Sequence, residues 1–112
     1  MPKIVETIEE LSGYFQGVIQ RSKHHAKEVS EVIYPLVGVI LEKADKGSIK
    51  YMVRNGSPCN VLWAKINEKK YVFTYNHEKC VIEMRRSSLQ GKTLAELNNK
   101  TRINQLVELF LA

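Results

Sequence analysis

The chain is poor in several residue types on which small scaffolds and active sites are commonly built. Its 2 cysteines, Cys59 and Cys80, allow at most one bridge. That excludes a disulfide-rich scaffold and an all-cysteine zinc site, and both are expected to be core thiols. Asp45 is the sole aspartate, and the sheet region adds only Glu68, Glu78 and Glu83, which argues against a multi-carboxylate magnesium centre. With 3 prolines and 6 glycines there is no long linker or low-complexity tract. The longest apolar run, residues 32–41, is interrupted by Tyr34, Pro35 and Gly38, and is far short of the ~20 residues of a membrane span. The N-terminus carries Lys3 and Glu6 where a signal peptide would be apolar. A cytoplasmic protein with no membrane partner is expected.

What is present is the composition of one domain over residues 1–112, with 44% hydrophobic and 26% charged residues. A chain of this size buries roughly two-thirds of its unfolded surface without a metal or disulfide staple. The net charge of +5 is unevenly placed. Residues 1–46 hold six Lys or Arg against seven acids, and residues 47–112 hold eleven against five. Attraction for an anionic partner must therefore arise in the second part, with simple solubility as the plain alternative.

The periodicity predicts an α+β fold with two N-terminal helices, an antiparallel meander of four or five strands, and a C-terminal helix packed on the sheet. Ile4, Ile8, Leu11, Phe15, Val18 and Ile19 recur at helical spacing, with Pro2 suited to a helix start and early glutamates suited to the helix dipole. Gly13 and Gly17, four apart, leave room for a close backbone approach. Ser22 is placed to cap a second helix to about residue 33, burying Ala26, Val29, Val32 and Ile33. Pro35 breaks that pattern, so residues 36–43 read as a strand, with a kinked helical continuation as the alternative. Residues 45–47 read as a turn. Strands follow at 48–54, 60–66, 71–75 and 80–86, joined by short polar loops that favour antiparallel neighbours. Thr93 and Glu96 have capping-box spacing for a short helical turn, and a last helix runs to about residue 111 through Ile103, Leu106, Val107, Phe110 and Leu111.

Alternation gives the sheet two unequal faces. Ile49, Tyr51, Val53, Leu62, Ala64, Ile66, Tyr71, Phe73, Tyr75, Cys80, Ile82 and Met84 form the core face. The other has an apolar centre of Val61, Trp63, Val72 and Val81 within a basic margin, giving a candidate binding surface of Lys50, Arg54, Trp63, Lys65, Lys70, Lys79 and Arg85. Its cover is either the C-terminal helix, a second copy of the chain, or an external ligand. Aromatic stacking beside phosphate-neutralising lysines suits nucleic acid, although a single Trp falls short of the usual multi-aromatic platform. Arg85 is the better of the two arginines closing the strand for holding a phosphate or an acidic partner.

The remaining motifs are weak. His24 with Glu28 lacks a third metal ligand, His77 belongs to a loop while Cys80 points inward, and Gly91-Lys92-Thr93 matches only the end of a phosphate-binding loop. No catalytic set, metal site or cofactor is implied. The leading expectation is a small non-enzymatic binding or regulatory protein that forms a homo-oligomer, with a basic sheet region for nucleic acid or an acidic protein. The alternative is a small-ligand-binding protein or enzyme with a pocket between a curved sheet and the N-terminal helices, lined by Tyr51, Tyr71, Tyr75 and His25.

Overall fold

The computed structural model describes residues 2–4, 8–54 and 57–110, without the side chains of residues 2, 3, 8, 53, 54 and 57–60. The side chains of Val53, Arg54 and Cys59, and the whole of Glu6 and Leu111, thus lie outside the described residues. The order is β1 (Pro2–Ile4), α1 (Ile8–His25), a short 3-10 turn (Lys27–Val29), α2 (Ile33–Lys43), β2 (Lys50–Arg54), β3 (Ser57–Ile66), β4 (Lys69–Asn76), β5 (Val81–Arg86), β6 (Thr93–Leu97) and α3 (Ile103–Leu109). The strands form one antiparallel sheet in sequence order, β1 to β6. The α+β class, the meander and the flanking helices are those expected, with six strands instead of four or five.

The sheet forms where alternation is cleanest. Tyr51, Leu62, Ala64, Ile66, Tyr71, Phe73, Ile82 and Met84 share one buried cluster, with Ile49 and Tyr75 packed against it. Cys80 departs from the expected pattern. It sits in the β4–β5 turn at φ 58°, half-buried, with its thiol 3.6 Å from the His77 carbonyl. Asn67 and Glu68 join β3 to β4, both in the left-handed region at φ 52° and 66°. Positive φ at both central residues marks the hairpin turn whose twist matches its strands, a conformation that Asn tolerates and Glu adopts at a cost.

All three helices lie on the core face. Leu11, Tyr14 and Phe15 of α1 join the cluster, and the Tyr14 ring stands 4.6 Å from that of Tyr51. Leu106 and Phe110 anchor the C-terminal end, the Phe110 ring lying 6.0 Å from Tyr71 and 6.3 Å from Phe73. Of the three possible covers of the second face, the C-terminal helix is thus removed, because it packs on the core face.

Several sequence expectations are corrected by packing. Pro2 begins an edge strand, where proline needs no ladder partner, and α1 starts only at Ile8. Ser22 does not cap a second helix. It lies within α1, its hydroxyl donating to the Ile19 carbonyl at 2.7 Å. Residues 36–43 are helix, not strand. Pro35 falls in the first turn of α2, where a missing N–H and a fixed φ are tolerated, and Ile33, Leu36 and Ile40 form the buried stripe. Residues 93–97 are a strand because pairing with β5 sends Ala95 and Leu97 inward. Neither early glycine admits a neighbouring backbone. A Cβ at Gly13 would meet nothing within 4 Å, and one at Gly17 would meet the Arg21 guanidinium at 3.1 Å.

One side chain ties the two ends of the helical layer together. The Asn99 Oδ1 accepts from the N–H groups of Glu31 at 2.8 Å and Val32 at 3.0 Å, its Nδ2 donates to the Lys27 carbonyl at 2.8 Å, and its own N–H donates to the Glu28 carbonyl at 2.8 Å. Asn67 makes a second tie, donating to the Phe110 carbonyl at 2.8 Å.

Asn99→Ala is expected to lower unfolding stability by about 2 kcal/mol, because two backbone donors and one acceptor lose their partner at a part-buried junction. Glu68→Gly is expected to raise it by about 0.5–1 kcal/mol through relief of the left-handed backbone. Urea unfolding of both variants checks the pair, and opposite signs are the outcome required.

Candidate functional site

Two surfaces carry features beyond packing. The first is a cleft of about 270 Å³ between the N-terminal helices and the sheet. Leu62, Phe73 and Ile82 form its floor, Tyr14, Phe15 and Val18 of α1 one wall, and Ile33, Leu36 and Ile40 of α2 the other. Val29 and Ala26 close the end between the helices. The walls are apolar because these are the buried stripes of both helices, which the bend at residues 26–32 holds apart.

Polar groups gather at the mouth. Arg21, Ser22 and His25 come from the last turns of α1, and Tyr75 and His77 from the end of β4 and its turn. The His77 ring meets that of Tyr75 edge-on at 4.8 Å. Burial first, then a hydrogen bond with the Cys80 thiol, raises the Tyr75 phenol above its ordinary value, so it stays protonated in neutral solution. Of the side chains expected to line such a pocket, the structure brings in Tyr75 and His25 and places Tyr51 and Tyr71 elsewhere in the core. Val18, Ile40 and Arg21 were missed. The helical stripes were legible as core, but the gap between them depends on how α2 is set.

The second surface is the opposite face of the sheet. Cross-strand pairing places Lys50 against Trp63, Trp63 against Val72, and Val72 against Arg85 in one row across four strands. Val72 is fully buried on this face. Trp63 is part-exposed and lies outside the core cluster.

The charges of this face fall into two groups. Toward β5 and β6 they are paired: Arg85 donates to Glu83 at 2.8 Å and to the Gly91 carbonyl at 3.0 Å, and Lys79 lies 3.0 Å from Glu96. Glu83 is buried, and the Arg85 hydrogen bond holds its carboxyl below the ordinary range, helped by Asn76 at 3.2 Å. Toward β2–β4, Lys50, Lys65 and Lys70 form no ion pair among the described residues, and Lys65 directly faces Lys70. The Arg54 side chain is outside the described residues.

The weaker motifs come apart. The rings of His24 and His25 sit exposed at the end of α1, 6.2 Å from each other. The Cys80 thiol meets a carbonyl, not the His77 imidazole. Gly91-Lys92-Thr93 leads into β6 and not into a helix, so it lacks the strand–loop–helix setting of a phosphate loop.

A family model described as "Integron cassette protein VCH_CASS1 chain" matches residues 11–107. The chain belongs to this family. The matched span contains both walls of the cleft and the whole sheet from β2 to β6. Membership in the integron cassette family names no activity, and no curated protein matches the sequence.

Because the Glu83 pKa is lowered on folding, its contribution to stability is complete above the ordinary carboxylate range and is lost as pH falls through the folded value. Arg85→Met is expected to cost roughly 2–3 kcal/mol at neutral pH by leaving a buried carboxylate without its cation. The gap between wild type and variant is expected to narrow as pH falls below the carboxylate range, which chemical denaturation at a series of pH values measures.

Proposed function

We propose that the protein is a non-enzymatic binder of a small, largely apolar molecule, which enters the cleft between α1, α2 and the sheet. The observation that carries this reading is the cleft itself, an apolar space of about 270 Å³ inside a chain of 112 residues. At ~24 cal/mol per Å³, an empty apolar void of that size forgoes at most about 6 kcal/mol of packing, a large share of the ~5–15 kcal/mol that holds a domain together. An occupant of roughly 15–20 non-hydrogen atoms would restore those contacts, near the lower end of the usual range for ligand sites.

The chemistry of the lining supports binding over turnover. Ser22 Oγ is used by the Ile19 carbonyl, Tyr75 is held protonated beside Cys80, and His77 packs on the Tyr75 ring. Among the described residues no nucleophile is seated against a base with an orienting group behind it, which is the arrangement covalent catalysis needs.

A neutral dye of matching size, N-phenylnaphthylamine, is expected to bind saturably with a rise in fluorescence. Val18→Phe, which places a ring into the space, is expected to abolish that signal while raising the melting temperature by roughly 3–8 °C, the signature of a filled cavity. Non-saturable dye uptake, or undiminished binding by a folded Val18→Phe variant, would refute the reading.

A further inference from the structure

The opposite face of the sheet supports a second site, independent of the cleft. We infer that the face of β2–β4 around Trp63 binds single-stranded nucleic acid, with Trp63 stacking on an unpaired base and Lys50, Lys65 and Lys70 neutralising adjacent phosphates.

Three observations carry this. First, the three lysines surround the ring: Lys50 is its direct cross-strand neighbour, Lys65 lies two residues along β3 on the same face, and Lys70 is diagonal to it on β4. Second, Lys65 and Lys70 face each other directly with no acidic partner among the described residues. Like charges opposed across a ladder destabilise the pair, and an anion between them reverses the sign. Edge protection does not account for these two, because β3 and β4 are the central strands. Third, the acids of the same face are already matched, Glu83 by Arg85 and Glu96 by Lys79, so the surplus positive charge is confined to the part of the face that holds the sole tryptophan.

The geometry selects among anionic partners. In a duplex the base faces are stacked away, whereas a single strand presents them to an aromatic ring while its backbone runs past the lysines. A second copy laid on this surface would add three more lysines and, among the described residues, no unpaired acid, since Glu83 and Glu96 are already matched. The paired Arg85 and Lys79 are consequently left out of the site, which reduces to Lys50, Trp63, Lys65 and Lys70.

The test is titration of the intact protein with a mixed-sequence single-stranded oligodeoxynucleotide, read by Trp63 fluorescence and by anisotropy of a labelled strand. Quenching is expected, with log K falling against log salt at a slope of roughly −2 for three phosphates, or about twentyfold between ~50 and ~200 mM salt. Lys65→Gln/Lys70→Gln should reduce that loss to about threefold, and Trp63→Phe should weaken binding without changing the slope. Lack of quenching at low salt, equal affinity for the matching duplex, or a concentration-dependent blue shift without oligonucleotide would each overturn the assignment, the last by showing that a second copy occupies the face.

Discussion

The carboxamide of Asn99 is the constraint on which the arrangement of the helices depends. It is the point at which the chain leaving β6 is bonded to the backbone between the 3-10 turn and α2. Residues 26–32 are short and irregular, and α2 has no side-chain cap of its own. A helix entering in that way has its direction set by whatever satisfies the backbone just before it. Here that is a residue more than sixty positions later. Asn99 therefore couples the helix forming one wall of the cleft to the edge strand and α3, and Asn67 repeats the device where α3 ends.

The same dependence explains what the sequence could and could not reveal. Strands β2–β5 were legible because their alternation is local: Leu62, Ala64 and Ile66 point inward whatever lies beyond them. Residues 33–43 were not, since a run rich in β-branched residues satisfies either period and Pro35 reads as a break unless the helix is known to begin just before it. Residues 93–97 misled in the other direction. Thr93 and Glu96 have the spacing of a capping box, but β5 offers an unpaired edge, and ladder bonds with Leu97 buried and Ala95 packed against the core outweigh one capping interaction. The final helix was found, yet among the described residues of its expected stripe Leu106 and Phe110 are buried while Ile103 is 67% exposed.

The two candidate surfaces were legible to different degrees for the same reason. Membership of the second sheet face follows from period two alone, so Lys50, Trp63, Lys65 and Lys70 were all placed on it correctly. Their division from Arg85 and Lys79 was not visible, because it rests on cross-strand partners, Glu83 and Glu96, that only the register supplies. The cleft was visible merely as a class of possibility. Tyr75 and His25 belong to it, but Tyr51 and Tyr71 face the same side of the sheet and are filled over by α1 and α3. A cavity is a property of the distance between elements, and no residue type encodes it.

The two faces also differ in what they ask of the fold. The core face must hold α1 and α2 apart over an apolar space that solvent occupies poorly, and it relies on the Asn99 tie and the bend before α2 to resist collapse. On the outer face Val72 is fully buried, with Trp63 and Arg85 as its cross-strand neighbours, and the buried Glu83 holds Arg85 at 2.8 Å. Removing Arg85 therefore leaves the buried Glu83 without its cation. A face that served only as a solvated back to the sheet would carry no such cost, since a carboxylate in water needs no cation beside it.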